Sequence, residues 1–250
     1  MGAYVEEAIG LGLKEIGFAD HLPLLHSIDQ TLTMSWDDLP FYLADVVALQ
    51  REYAEIKIKL GIEADFIPRY QEQLAKILAD YEFDYVLGSV HFVDGWGIDD
   101  RRYIDNFADY DIDDIYQRYF SLLRQAAASG LFDVLAHPDL IKKYNFRPKG
   151  DLTETYQETA AAIAAAGIAI EVSSGGLRKP VKEIYPAQDF LNICGAANIP
   201  VTTGSDAHHP DEVGRDFDLL SESLEQAGYK EISAFTARKR ESVELGGQWV

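Results

Sequence analysis

Residues 83–91 read Phe-Asp-Tyr-Val-Leu-Gly-Ser-Val-His, an almost uninterrupted apolar run that ends in His91. Such a run is typical of a parallel β-strand that is covered by helices on both faces. An antiparallel strand with one face in water would instead alternate apolar and polar residues. The segment therefore predicts one strand of a parallel α/β sheet, with a histidine at its carboxyl end.

Further β-prone runs repeat this pattern, and they cover residues 15–21, 56–63, 131–137, 168–173 and 199–206. Segments with helical periodicity separate them, which favours a parallel β/α architecture over an antiparallel one. The segment 215–245 predicts a helix followed by a strand-like tail. Because the sequence contains no Gly-x-Gly-x-x-Gly or Walker loop, we favour a barrel over an open doubly wound sheet.

Side chains that commonly bind metals stand where these runs end. The histidines are His21, His91, His137 and His208, and the acids are Asp20, Glu63, Asp139 and Asp206. One histidine at a strand end is more often an ordinary core or surface residue. Recurrence at strand after strand favours a shared site, because the carboxyl ends of barrel strands meet at one face. In particular, Glu63, His91 and His137 supply one oxygen and two imidazoles, enough for a catalytic metal with open positions.

The segment Gly204-Ser-Asp-Ala-His208 places Asp206 and His208 two residues apart, so both side chains can lie on one side of an extended segment. An Asx-type turn before Pro210 is the alternative interpretation. His209 should face away from such a site. His26 is interpreted as a loop residue or a substrate contact rather than a metal ligand.

A glycine-rich segment, residues 173–180, reads Ser-Ser-Gly-Gly-Leu-Arg-Lys-Pro. The hydroxyl of Ser174, the backbone N–H groups beside the glycines and the guanidinium of Arg178 could together bind the oxygens of a phosphate. The alternative is a solvated turn with a surface arginine.

Composition limits the partners and the compartment. A chain of 250 residues with 47% hydrophobic content predicts a single domain, residues 1–250. Its one cysteine, Cys194, allows no internal disulfide, and no signal peptide or membrane-spanning run is evident, so we expect a soluble cytoplasmic protein. The net charge of −20 argues against nucleic acid and anionic membranes as partners. A charge of this size is typical of a protein that attracts cations, or of one whose acidic surface keeps it in solution.

Two further expectations concern the connections. Residues 93–110 are rich in Asp, Gly and aromatic residues without clear periodicity, which predicts a long loop that covers a substrate. The chain opens with a helix near Tyr4, whereas every later helix follows a strand. We therefore expect that a first strand is missing.

Five ordered motifs together resemble the PHP (polymerase and histidinol phosphatase) superfamily. They are Phe18-Ala-Asp-His21, Gly61-Ile-Glu63, Gly88-Ser-Val-His91, Ala136-His-Pro-Asp139 and Gly204-Ser-Asp-Ala-His208. Residues 171–180 and 183–186 are similar to the histidinol-phosphatase branch in particular. The resemblance covers essentially the whole chain, and the motifs as a set are highly specific.

The resemblance implies a distorted seven-stranded β/α barrel that binds up to three divalent ions, commonly zinc, manganese or iron. It implies hydrolysis of a small phosphomonoester, L-histidinol phosphate, to L-histidinol and phosphate. Carried over by motif, the resemblance makes Glu63 a ligand that would bridge the first and second ions. Asp206 would also bind the first ion, and His91 and His137 the second. His21 and His208 would bind the third. Asp206 or a metal-bound water would protonate the leaving alkoxide, Arg178 would neutralise phosphoryl oxygens, and Ser174 and His26 would contact the substrate.

This chain departs from the family pattern at its amino terminus. The family begins with a strand that ends in a His-x-His pair, and this sequence starts downstream of it, which would leave two metal positions short of ligands. Two alternatives therefore stay open. One is a PHP phosphoesterase for another small phosphate, and the other is a truncated or degenerate chain without catalytic activity.

Overall fold

A computed structural model describes residues 1–27 and 31–245. The strands are β1 (Glu15–Phe18), β2 (Lys57–Asp65), β3 (Tyr85–Ser89), β4 (Phe92–Val93), β5 (Trp96–Gly97), β6 (Val134–Leu135), β7 (Ala169–Ser173), β8 (Val201–Gly204), β9 (Glu231–Thr236) and β10 (Lys239–Glu244). Six of them form one sheet in the order β1-β2-β3-β6-β7-β8, and each neighbouring pair is parallel. The prediction of a parallel α/β fold is confirmed.

The described helices are α1 (Gly2–Gly10), α2 (Leu39–Glu52), α3 (Gln71–Ala79), α4 (Ile112–Ala128), α5 (Thr153–Ala166), α6 (Gln188–Ala196) and α7 (Phe217–Gln226). Five of them, α2 to α6, connect successive strands of this sheet, while α1 precedes β1 and α7 follows β8. In α4, Ile115, Tyr119 and Leu123 recur at helical spacing and are fully buried. Fully buried Phe120 is part of the same core, and its replacement by alanine should cost about 3–5 kcal/mol of stability.

The connection between α5 and β7 shows how local sequence sets the start of a strand. Gly167 ends α5 in the left-handed conformation, with φ of 71°, and its N–H donates to carbonyls of the last helical turn. Glycine adopts this conformation without the steric cost that a β-carbon brings. The chain therefore turns sharply, and β7 begins two residues later at Ala169.

The carboxyl-terminal segment closes the amino end of the sheet. The predicted strand-like tail is two antiparallel strands, β9 and β10. Phe235 of β9 packs inside the curved sheet against Leu87 and Val134. Arg238, at the turn, donates to the carboxylate of Asp133 at 2.8 Å. This hairpin leaves the opposite, carboxyl end of the strands for the predicted site.

The segment 93–110 differs from the irregular loop that its sequence predicts. It contributes to the short hairpin β4–β5 and contains a 3₁₀-helix, Arg101–Ala108. Trp96 packs edge-on against Phe107 with ring centroids 4.9 Å apart, and Phe107 stacks on Phe146. Aromatic packing therefore gives a 3₁₀-helix and a short hairpin to a loop that has no periodic pattern, and its role in covering a substrate stays a prediction.

The two edges of the sheet, β1 and β8, face a common cavity of about 780 Å³. Ile16 and Phe18 line it from β1, and Thr203 lines it from β8. That another strand precedes α1 stays a prediction, as does the single domain over residues 1–250. Within the described part of the chain, no helix is long and apolar enough to cross a membrane.

Candidate metal centre

Three of the predicted ligands converge at the carboxyl ends of β2, β3 and β6. The Oε1 atom of Glu63 lies 3.2 Å from Nε2 of His137 and 3.6 Å from Nε2 of His91. All three side chains are buried. Because β2 pairs with β3 and β3 pairs with β6, backbone hydrogen bonds of the sheet determine where these ligands stand.

The spacing of these donors fits a metal ion. Ligands about 2.1 Å from a tetrahedral ion are about 3.4 Å from one another. The two distances from Glu63 bracket that value, and donor atoms of Glu63, His91 and His137 all lie within 4.8 Å of one another. One carboxylate and two imidazoles leave open coordination positions, as catalytic zinc sites do.

Electrostatics in this buried cluster favour the charged forms. Burial raises the pKa of the Glu63 carboxyl, but His21, His137 and His91 outweigh burial, and the pKa falls below its usual range. Burial lowers the pKa of His91, but Asp65, Asp99 and Glu63 outweigh it and raise the pKa to about 10. Without a metal ion, protons on the imidazoles therefore balance the carboxylates, and an ion that binds must displace them.

Two carboxylates that we did not select from the sequence support this cluster. Oδ1 of Asp65 lies 2.9 Å from Nδ1 of His91, on the far side of the ring from Glu63. Glu171 accepts a hydrogen bond of 3.0 Å from the backbone N–H of His137, whose φ of 28° is unusual for a residue with a β-carbon. Asp65 could have been found from the sequence, because it stands two residues after Glu63 and so on the same face of β2.

His21 lies at the rim of the same cluster. It forms an isolated parallel bridge to Glu63 just beyond β1. Its Nδ1 atom lies 3.9 Å from Oε1 of Glu63, and its side chain is 31% exposed. Donor atoms of His21, Asp65 and His91 also lie within 4.8 Å of one another. The structure thus places His21 beside Glu63 and His91.

Asp206 and His208 form a turn after β8. Nδ1 of His208 lies 2.9 Å from the carbonyl oxygen of Asp206 and 3.7 Å from its Oδ1. The side chain of His208 is 59% exposed, and its backbone N–H donates to Glu212. Asp206 has a φ of 49°, so the backbone does form a tight turn here. The turn and the pair of ligand-type side chains, which the sequence offered as alternatives, therefore occur together. Their roles as ligands stay predictions.

Arg178 holds this turn, whereas Ser174 is hydrogen-bonded to the chain beyond it. The guanidinium of Arg178 donates to the carbonyl groups of Ser205 and Asp206, and its Nε lies 3.1 Å from Oε1 of Glu212. Its Nη1 is buried without a hydrogen-bond partner among the described residues. Ser174 is fully buried, and its hydroxyl donates to the carbonyl of Arg215. The Ser174 hydroxyl and Nη2 of Arg178 are therefore engaged within the protein, and the predicted contacts of these two residues with a phosphate stay predictions.

His26 lies apart from the cluster, in the connection between β1 and α2. Its ring packs edge-on against Phe92, with centroids 4.4 Å apart. Its Nδ1 is buried and has no hydrogen-bond partner in the described ranges, and burial lowers the pKa of the ring. A substrate contact through His26 stays a prediction.

Comparisons with known proteins agree with this fold. The family model described as "PHP domain" matches residues 1–175. A probable histidinol-phosphatase of Deinococcus radiodurans is 36% identical over 94% of this chain and 90% of that protein. The histidinol-phosphatase of Bacillus subtilis is 26% identical over 88% of this chain and 91% of that protein.

Solved structures show the same architecture. A histidinol phosphate phosphatase from Lactococcus lactis, in complex with zinc, L-histidinol and phosphate, superposes with a TM-score of 0.81 at 23% identity, covering 96% of this chain and 92% of that one. The fold and the carboxylate–imidazole cluster define an α/β protein with a curled parallel sheet, a half-barrel, and a candidate metal centre. The chain belongs to the PHP domain family, as its motifs predict.

Proposed function

We propose that this protein is a metal-dependent histidinol-phosphatase, which hydrolyses L-histidinol phosphate to L-histidinol and inorganic phosphate. The observation that carries the proposal is the buried set Glu63, His91 and His137, whose donors have metal-ligand spacing. It occurs in a chain that shares 36% identity, over 94% of its length, with a probable histidinol-phosphatase.

Glu63, His91 and His137 would hold one divalent ion, of zinc, manganese or iron. When bound, such an ion supplies Lewis-acid chemistry at a phosphoryl group and at water. We propose His21, Asp206 and His208 as ligands of additional ions, up to three in all. Their side chains are more exposed than the three buried donors.

The chain's own residues would act on the substrate from the turn after β8. After a small movement of the side chain, Nη1 of Arg178 could donate a hydrogen bond to a phosphoryl oxygen. A water molecule would form the new P–O bond as the bond to the alcohol breaks, and Asp206 would carry the proton released by that water to the oxygen of the departing alcohol. Ser174 and His26 are proposed to contact the remainder of the substrate.

The proposed substrate is a small molecule, and neither nucleic acid nor a membrane is proposed as a partner. The net charge of −20 disfavours a polyanion, because long-range repulsion would oppose its approach. We also propose a cytoplasmic location, in keeping with a biosynthetic enzyme and with the unpaired, buried thiol of Cys194.

The test is phosphate release by the purified full chain after reconstitution with zinc, manganese or iron. L-histidinol phosphate should be hydrolysed with a higher kcat/KM than other small phosphomonoesters, and oligonucleotides should not be hydrolysed. His137→Ala is the matched inactive variant, which excludes a contaminating phosphatase. A folded, metal-loaded chain that releases no phosphate from L-histidinol phosphate would contradict the proposal.

A further inference from the structure

The two ring nitrogens of His91 face different carboxylates. Nδ1 lies 2.9 Å from Oδ1 of Asp65, and Nε2 lies 3.6 Å from Oε1 of Glu63. The side chains of His91 and Asp65 are only 10% and 9% exposed. Because water is largely excluded, the carboxylate of Asp65 is the main hydrogen-bond partner for Nδ1.

The sheet determines where Asp65 stands. Side chains two residues apart on a strand lie on the same face, so Glu63 and Asp65 both face the end of the sheet. Asp65 pairs in register with Ser89, and the next residue, Phe66, donates its N–H to the carbonyl of Ser89 at 2.8 Å. Asp65 is therefore held next to Ser89, which stands two residues before His91.

His137 is supported differently from His91. Nδ1 of His137 is buried and has no hydrogen-bond partner among the residues that the structure describes. Its position is set through the backbone, by the hydrogen bond from its N–H to Glu171. Both rings lie near Glu63 through Nε2, but within residues 1–27 and 31–245 only the ring of His91 has a second carboxylate, at Nδ1, to set its orientation.

Asp65 could in principle be a metal ligand together with His21 and His91, because their donor atoms cluster within 4.8 Å. The contact between Asp65 and Nδ1 of His91 is too short for that arrangement. Two ligands of one zinc ion are about 3.4 Å apart, whereas 2.9 Å is a direct hydrogen bond. Nδ1 of His91 therefore carries a proton that it shares with Asp65, and Nε2 is the nitrogen left for an ion.

We propose that Asp65 is a positioning residue, which holds His91 with Nδ1 protonated and presents Nε2 to the ion beside Glu63. This inference rests on the proposed metal centre but not on the substrate. Carboxylates that orient a metal-binding histidine in this way typically change metal affinity by about 10–100-fold.

The test compares Asp65→Leu with Asp65→Asn in the full chain. Leucine has a similar size but accepts no hydrogen bond, whereas the amide oxygen of asparagine still accepts one from Nδ1–H. Zinc should bind to Asp65→Leu about 10–100-fold more weakly than to the unmodified chain. Asparagine should restore most of that affinity, although an amide would be a poor replacement for a carboxylate ligand.

A spectroscopic readout separates positioning from a general loss of structure. In the zinc-loaded protein, ¹H–¹⁵N spectra of the ring should show His91 bound through Nε2, with an Nδ1–H proton that exchanges slowly. That exchange should accelerate in Asp65→Leu but stay slow in Asp65→Asn. Zinc bound through Nδ1 would overturn the proposal, as would equal loss of affinity in both variants or no loss in Asp65→Leu.

Asp133→Leu is the matched control. Asp133 accepts the N–H of Val86 at 2.8 Å near the amino end of β3, far along the sheet from His91. Its loss should lower stability without changing zinc affinity. Should Asp65→Leu fail to fold, the affinity of Asp65→Asn and the ring spectra of the unmodified chain still decide the question. Neither measurement uses substrate, so failure of the phosphatase proposal would be recognised separately.

Discussion

The ligand-type residues of this protein lie in two unlike regions. The buried corner, which we define as Glu63, His91 and His137, stands on the adjoining interior strands β2, β3 and β6. The rim turn, which we define as residues 204–208, follows the edge strand β8. Donor atoms in the corner lie 3.2 Å and 3.6 Å apart, whereas His208 in the rim turn is 59% exposed.

The difference shows what holds a ligand in place. Sheet hydrogen bonds and the carboxylates of Asp65 and Glu171 position the corner, so its donors are set before an ion arrives. Side chains of Arg178 and Glu212 hold the rim turn at the border of an open cavity. We therefore expect an ion to bind more tightly in the corner than at the rim, because preorganisation lowers the cost of binding.

The largest effect should come from breaking the buried ion pair Lys142–Asp139, which lies close to the corner. Nζ of Lys142 lies 2.8 Å from Oδ2 of Asp139, two residues beyond His137, and both side chains are 2% exposed. Lys142→Met would leave a buried carboxylate unpaired and should cost about 3–5 kcal/mol in urea unfolding. Removing the arginine of the exposed pair Arg215–Asp216, nearer the rim turn, should cost at most about 1 kcal/mol.

The double variant Lys142→Met with Asp139→Leu is the control for this prediction. It removes both charges, so it should recover much of the lost stability. If the double variant is no more stable than Lys142→Met, then the cost comes from packing rather than from an uncompensated charge.

The next effect distinguishes the two regions directly by their affinity for zinc. His137→Ala should weaken the tightest zinc site by more than about 100-fold, because a ligand contributes more than the groups that orient it. His208→Ala should change that site less than about 10-fold, because His208 lies outside the corner. Competition with a chromophoric chelator measures both values, and equal losses would show that the regions form one site.

A smaller effect should follow from adding a β-carbon where the rim turn packs against Glu171, which supports the corner. A β-carbon on Gly204 would lie 2.0 Å from Oε1 of Glu171, which in turn holds His137. Gly204→Ala should therefore destabilise the protein by about 1–3 kcal/mol and also weaken zinc binding in the corner. Gly10→Ala is the matched control, since its β-carbon would meet nothing within 4 Å. A neutral Gly204→Ala would mean that Glu171 has room to move.

The last effect concerns pH and the metal-free protein. Burial raises the pKa of Glu171 to about 7 from an ordinary value of 4.5; His137 opposes this shift and Asp206 adds to it. The folded chain therefore keeps a proton that the unfolded chain has released. The stability from this proton is complete below pH 4.5 and is lost as pH rises through about 7.

Glu171→Gln should remove this dependence, because an amide does not titrate in this range. With a chelator present, the stability of the variant relative to the unmodified chain should rise between about pH 5 and about pH 8. A parallel pH dependence for Glu171→Gln and the unmodified chain would show that Glu171 ionises normally.

The order of strands and the residues at their ends could be predicted from the sequence. Apolar runs such as residues 83–91 have a local pattern, and a histidine directly after one needs no distant contact to be recognised. The same reasoning did not predict the 3₁₀-helix and hairpin within residues 93–110, because they depend on contacts such as Phe107 stacking on Phe146, a residue far along the chain. Reasoning from the sequence also did not predict that Arg178 donates hydrogen bonds to the turn after β8.

The sequence by itself determined a parallel α/β fold with carboxylates and imidazoles gathered at one end, because strand period and strand termini are local properties. The sequence also proposed Glu63, His91 and His137 as one set of ligands, and only the tertiary structure decided their spacing and the residues that support them. Glu63, His91 and His137 meet because β2, β3 and β6 are neighbours, and Asp65 and Glu171 join them through hydrogen bonds between strands. Asp206 and His208 follow an edge strand instead, where fewer sheet contacts determine the direction of a side chain.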